Sequence, residues 1–260
     1  MSKINKVFNN GKAFIPFITV GDPDIETTEK LIYALEEAGC DLIELGIPFS
    51  DPTAEGPVIM NASERALQNG VCTDDVFDLV KRVRVKSQIP LAFMTYANVI
   101  FSYGIENFAK KAESIGLDAL ILPDVPYEEK GEFETVFSSH NVDFISMVAP
   151  TSDNRVKMIS KEAKGFIYCV SSLGVTGERS SFSSNLQNLI ETIKSNNPEI
   201  PCAIGFGISN SQQAYNMAKI SDGVIVGSAI VRIIEKYGKD CIPKVFEFSK
   251  NIKDTIINIK

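Results

Sequence analysis

The sequence predicts an α/β protein whose strands and helices alternate and close into a (β/α)8 barrel. Three observations carry this. Eight short, almost continuously apolar runs rich in Val, Ile and Phe recur along the chain, as strands buried on both faces require. Longer segments with helical spacing lie between them. The 260 residues match the roughly 250 typical of that barrel. An open, doubly wound sheet is the rival, but it rarely uses eight uninterrupted βα units. No linker or compositional shift divides the chain, so residues 1–260 read as one domain.

The first strand, Phe14–Thr19, leads to a helix over Thr28–Gly39. There Leu31, Ile32, Ala34, Leu35 and Ala38 keep the i, i+3, i+4 pattern, and Gly39 stops the helix. The second strand, Asp41–Leu45, enters a loop with prolines at Pro48, Pro52 and Pro57. The third and fourth, Pro90–Thr95 and Asp118–Leu122, flank a helix over Ile105–Gly116. A helix over Glu128–Ser138 precedes the fifth strand, Val142–Val148. The sixth, Gly165–Val170, runs into a long Gly- and Ser-rich segment and a helix over Leu186–Ser195. The seventh, Pro201–Ile204, the helix Ser211–Lys219 and the eighth, Gly223–Val226, complete the series. The junctions repeat as well. Gly39-Cys40-Asp41 and Gly116-Leu117-Asp118 share a glycine, one residue and an aspartate before the strand, and Ser221-Asp222 is a looser version.

Composition narrows the function. The net charge is −7, with no basic stripe, which argues against nucleic-acid and membrane-surface binding. No apolar run is long enough to span a bilayer, and the polar start lacks a signal-peptide core. The five cysteines form no C-x-x-C pair, and Cys40, Cys169 and Cys202 lie in or beside apolar runs, as packed thiols do. Together these predict a cytoplasmic protein. His140 is the one histidine, so a Ser-His-Asp triad or multi-histidine metal site would have to use it. No metal site is expected.

In a barrel, chemistry belongs at the C-terminal ends of the strands. Glu44 falls inside the second apolar run. It is either a satisfied structural ion pair or an acid/base group whose pKa burial raises. Asp51 and Glu55 sit in the stiff loop that follows, as a solvated turn or as carboxylates held over the mouth. Glycines after the seventh and eighth strands, in Gly205-Phe206-Gly207 and Gly227-Ser228, precede short helices. That is where this barrel places a phosphate, on backbone N–H groups. The segment Ser171–Asn185 is long, polar and weakly anchored, in the manner of a lid or of a plain connector.

Taken together, Phe14–Pro23 (FIPFITVGDP), Ile43–Pro52 (IELGIPFSDP), Thr95–Asn98 (TYAN), Pro123–Pro126 (PDVP), Gly174–Gly177 (GVTG), Gly205–Ser209 (GFGIS) and Val226–Val231 (VGSAIV) resemble the tryptophan synthase alpha chain family over the whole length. The resemblance implies a (β/α)8 lyase that splits indole-3-glycerol phosphate into indole and glyceraldehyde 3-phosphate. It implies no metal or cofactor in this chain. Pyridoxal phosphate would sit only in a partner beta chain, to which indole passes through a tunnel in an α2β2 complex. It assigns Glu44 the acid/base role, Glu55 the charge at the ring nitrogen, and Tyr168 the orientation of that carboxylate. Phe17, Met94, Tyr96 and Thr176 fall at positions lining the indole pocket or closing the lid. Gly177, Phe206, Gly207, Gly227 and Ser228 fall at phosphate contacts, and Asp51, Pro52 and Asn98 at contacts with the partner.

Two departures stand out. Glu55 replaces the family's usual aspartate, keeping the charge and adding a methylene. Met60 stands where a glutamine is common, which is expected to loosen the loop. A binding and regulatory subunit with weak cleavage, another phosphate-sugar barrel enzyme and a stand-alone indole-releasing lyase are the alternatives. Glu44 argues against the first. The lack of a second histidine, a lysine base or a metal cluster at the strand ends argues against the second.

Overall fold

The computed structural model describes residues 3–150, 153–170, 179–205 and 207–259, with side chains of residues 179–184 left aside. The strands are β1 (Ala13–Thr19), β2 (Ile43–Gly46), β3 (Leu91–Met94), β4 (Ala119–Ile121), β5 (Asp143–Phe144), β6 (Ser146–Val148), β7 (Ile167–Val170), β8 (Cys202–Gly205) and β9 (Gly223–Val226). They pair in the order β5-β4-β3-β2-β1-β9-β8-β7-β6, all in parallel. Only Ile145 separates β5 from β6, and its N–H bonds to the Leu120 carbonyl of β4 at 2.9 Å. The two ends of the sheet therefore meet on one stretch of chain. That stretch is the predicted fifth strand, split at one residue, and the barrel has eight staves.

Alternation along each strand sorts the side chains. Ile15, Leu42, Ala92, Ala119, Ile121, Ile145, Tyr168, Ala203 and Ile225 pack together inside the barrel. Phe14, Ile18, Ile43, Leu45, Phe93, Leu120, Val224 and Val226 face outward. They meet the helices α1 (Ile25–Glu37), α2 (Pro57–Gln68), α3 (Thr73–Val83), α4 (Ala97–Tyr103), α5 (Ile105–Ser114), α6 (Gly131–Ser139), α7 (Asp153–Glu162), α8 (Arg179–Asn196), α9 (Ser211–Ala218), α10 (Ser228–Tyr237) and α11 (Ile242–Ile256). Both faces of the sheet are covered, which is why the strands read as continuous apolar runs. The five cysteines are free, and Cys40, Cys169 and Cys202 are buried as expected.

The repeated junction aspartates close the N-terminal end of the barrel. Asp41 accepts the Phe14 N–H at 2.7 Å and pairs with Lys253 of α11 at 2.7 Å. Asp118 accepts the Leu91 N–H at 3.0 Å and pairs with Arg84 at 2.7 Å. Asp222 accepts the Cys202 N–H at 2.8 Å and pairs with Lys194 of α8 at 2.7 Å. Each one satisfies the first or second amide of a neighbouring strand and ties it to a cation from the outer layer. In this fold that end serves stability.

Part of the expected lid, residues 171–185, is helical. Helix α8 begins at Arg179, so Arg179–Asn185 form its first turns. Leu186, Leu189, Ile190 and Ile193 anchor the helix in the core, and the preceding serines continue its turns. Residues 171–178 lie outside the described residues.

Candidate active site

The C-terminal ends of the strands open into a cavity of about 970 Å³. Its wall takes Phe17 from β1, Glu55 from the loop before α2, Met94 from β3, Tyr168 from β7, Gly207 after β8, and Gly227 and Ser228 at the start of α10. The barrel thus gathers residues from both halves of the chain at one mouth. A smaller cavity of about 530 Å³ lies at the opposite end, beside Lys194 and Asp222, away from these groups.

Glu44 is turned inward by the alternation of β2, in register with Phe17 and Ala92. It is fully buried, and neither carboxylate oxygen has a hydrogen-bond partner among the described residues. Among the described residues no cation pairs with it, which argues against the structural ion-pair reading. Burial pushes its carboxyl well above the usual range. Burial disfavours its charged form, so it keeps its proton more readily than an ordinary carboxyl.

Glu55 sits at the cavity wall in a different state. Burial raises its carboxyl from 4.5 to about 7, against a hydrogen bond from Tyr96 that lowers it. One oxygen, Oε2, is buried without a partner among the described residues. Two carboxyls whose environments hold them at different pKa values are the arrangement that divides acid and base roles.

Tyr168 is buried within reach of both charges. Burial first, then the charges of Glu44 and Glu55, hold its phenol well above the ordinary value. Gly205 provides the slot for this ring. A Cβ there would lie 2.4 Å from Tyr168 Cε1 and 2.6 Å from its hydroxyl oxygen. The resemblance gives Tyr168 the bond to carboxylate 55; the Tyr96 hydroxyl oxygen, which accepts the Ala54 N–H at 3.2 Å, also neighbours that carboxylate. Tyr96 stands behind Glu55 and does not line the cavity. Tyr96 is buried at 3% exposure.

The anion cradle lies opposite. Helix α10 has no side-chain cap, and its first backbone bonds run from Ile230 and Val231 to the Gly227 carbonyl. The N–H groups of Ser228 and Ala229, ahead of those bonds, are placed for a ligand. Gly207 turns the chain beside them at φ +74°, a conformation that favours glycine. Arg232, four residues beyond Ser228 on the same helix face, also reaches the cavity and is exposed. The sequence reading does not single it out, although the i, i+4 spacing from Ser228 is the signal for it. Asp124, Tyr127 and Arg155 complete the rim, with Arg155 bound to both oxygens of Glu128 at 2.9 and 2.7 Å.

The remaining expected residues divide. Thr176, Gly177 and Phe206 lie outside the described residues. Asp51 and Asn98 are exposed, whereas Pro52 is buried within the chain. Met60 is 44% exposed on α2, and nothing in the structure explains its presence.

Comparison with known proteins accords with this geometry. The sequence matches the model of the family described as tryptophan synthase alpha chain over residues 4–257. The chain belongs to the tryptophan synthase alpha chain family. It is 48% identical over 250 residues to the tryptophan synthase alpha chain of Alkaliphilus metalliredigens, covering 93% of each chain. It is 45% identical over 263 residues to that of Thermoanaerobacter sp. strain X514, covering 98% of this chain and 100% of the relative. Among solved structures, the alpha subunit from Legionella pneumophila superposes with a TM-score of 0.90 at 37% identity over the whole of both chains. The tryptophan synthase α2β2 complex of Pyrococcus furiosus contributes a chain that matches with a TM-score of 0.87 at 34% identity, over 94% of this chain and 99% of that one. In this family the alpha subunit catalyses the lyase half-reaction on indole-3-glycerol phosphate, and the beta subunit makes tryptophan.

Proposed function

We propose that residues 1–260 act as one catalytic domain in the cytoplasm, cleaving indole-3-glycerol phosphate at the cavity described above and passing indole to a beta chain in an α2β2 complex. The reaction is a retro-aldol cleavage, and the carbon–carbon bond cannot break while the indole ring keeps its enamine form. Glu44, whose burial favours the protonated form, donates its proton to the ring carbon that bears the side chain. The positive charge that develops on the ring nitrogen is met by Glu55. The Glu44 carboxylate then takes the proton of the side-chain hydroxyl as the bond breaks and its electrons return to the ring. Glu44 ends protonated, so the cycle closes without net proton uptake. These steps need carboxylates alone, and pyridoxal phosphate belongs to the beta chain.

The other wall residues bind and orient. Phe17 and Met94 supply apolar surface for the indole ring. Gly207, Gly227 and Ser228, with Gly177 and Phe206 by resemblance, hold the phosphate through N–H groups. By resemblance, Tyr168 orients the Glu55 carboxylate, and Thr176 falls at a position that lines the indole pocket or closes the lid. Asp51 and Asn98, both exposed beside the mouth, are the surface offered to the beta chain. The observation that carries this reading is Glu44, a fully buried and unpaired carboxyl inside an apolar strand. A subunit that only regulated a partner would have no use for that burden.

Indole release from indole-3-glycerol phosphate, measured for the purified chain alone and with a tryptophan synthase beta chain, tests the proposal. Slow release that rises sharply with the partner is expected. Stimulation of the beta chain with no indole release in either case would favour a regulatory subunit instead.

A further inference from the structure

Among the described residues, the wall of the large cavity carries four charged side chains, Glu55, Asp124, Arg155 and Arg232. Two are carboxylates, and Asp124 accepts the Ala97 N–H at the start of α4 with both oxygens at 3.1 Å. Of the two cations, Arg155 is taken up by Glu128, whose oxygens its guanidinium meets at 2.9 and 2.7 Å. Arg232 is exposed and makes no hydrogen bond or ion pair among the described residues. It shares the cavity wall with Gly227, Ser228 and Ala229 of the same helix start. Four residues place it about 6 Å along α10 from Ser228. Helical side chains lean back toward the N-terminus, so an arginine there runs over the first turn, toward the free N–H groups of Ser228 and Ala229. Lys236, one turn further along α10, is exposed but does not line the cavity.

We infer that Arg232 binds the phosphate of the substrate, its guanidinium supplying the full charge that the backbone cradle at the start of α10 lacks. This deepens the phosphate site proposed above and rests on it. A phosphate monoester carries roughly −1.5 to −2 charges near neutral pH, and a chain of net charge −7 repels it as a whole. The N–H groups at a helix start offer only partial charges against that field. A planar guanidinium offers paired donors that match two phosphate oxygens, so Arg232 both neutralises the group and fixes its direction. It thereby favours phosphorylated substrates over the same carbon skeleton without the phosphate.

The test is a phosphorus-31 NMR titration of glycerol 3-phosphate with the full chain, which reads phosphate affinity without turnover. Arg232→Gln is expected to raise Kd about three- to tenfold, whereas Arg232→Lys, which keeps the charge, should stay within about twofold. Lys236→Gln removes the same charge from the same helix away from the cavity, and should weaken binding far less. The gap between the unaltered chain and Arg232→Gln should narrow as sodium chloride rises from about 0.05 M to about 0.5 M. In turnover, Arg232→Gln should raise KM for indole-3-glycerol phosphate by a similar factor with kcat changed less than about twofold. Unaltered affinity in Arg232→Gln, or an equal loss in Lys236→Gln, overturns the inference and leaves the backbone cradle standing. An unaltered chain that does not bind glycerol 3-phosphate refutes the cradle and the inference together. Phosphate binding without indole release would refute only the proposed reaction.

Discussion

Replacing Glu55 by Gln should remove activity and yet stabilise the chain above neutral pH. Burial raises this carboxyl from 4.5 to about 7 in the folded state, so the folded chain holds a proton that the unfolded chain releases. Between those values the unfolded state binds fewer protons, and stability falls as pH rises. Full stability is present below about pH 4.5 and this contribution is lost by about pH 7. At about 1.4 kcal/mol per pH unit the upper bound is roughly 3 kcal/mol, and about 1–2 kcal/mol remain after allowing for the solvent that reaches a half-buried side chain. Glutamine carries no such proton. Urea unfolding at pH 5 and pH 8 should therefore show Glu55→Gln matching the unaltered chain at pH 5 and exceeding it by about 1–2 kcal/mol at pH 8. Indole release should be lost, since an amide cannot neutralise the ring nitrogen. Identical pH dependence in the two proteins would refute the claim that this carboxyl is buried at a cost.

Other substitutions separate chemistry from scaffold. Glu44→Gln should fold normally and lose at least a hundredfold in kcat, in line with general acid–base catalysis; near-normal turnover would remove Glu44 from the acid/base role. Gly205→Ala would place a methyl group against the Tyr168 ring, costing about 1–3 kcal/mol and lowering kcat; unchanged unfolding and kinetics would mean that the ring has room to move. Asp118→Ala should cost about 3 kcal/mol by leaving Arg84 and the Leu91 N–H unpaired, with kcat unchanged at 25 °C. A drop in kcat with stability intact would contradict the assignment of that end of the barrel to stability.

The barrel is legible in the sequence because its strands are buried on both faces and its glycines stop the helices. Glu44 is legible for the opposite reason, since a carboxylate inside an apolar run breaks the pattern around it. The break at Ile145 is not legible, because it depends on which neighbouring strand each amide pairs with and not on residue type. Helix α8 starts earlier than its apolar face suggests, since its first turns are serine-rich and borrow their stability from Leu186 onward. The nearness of Tyr96 to Glu55 is hidden for a third reason. Forty-one positions separate the two residues, and a tyrosine that ends a strand reads equally as core or as pocket lining. Arg232 is overlooked because an arginine on a helix is ordinarily a solvated charge, and only the fold turns that face of α10 toward the cavity.

The central claim is that Glu44 is protonated while Glu55 is ionised in the working site. The pH dependence of kcat/KM for indole release tests it most directly, because that ratio reports the groups of the free enzyme. The two limbs belong to the pair of carboxyls rather than to either alone. A bell is expected, with an acid limb near pH 7 that disappears in Glu55→Asp or shifts down with its shorter carboxylate, and a fall at higher pH as Glu44 loses its proton. A profile that is flat across both limbs, or an acid limb unaltered by Glu55→Asp, would contradict the account.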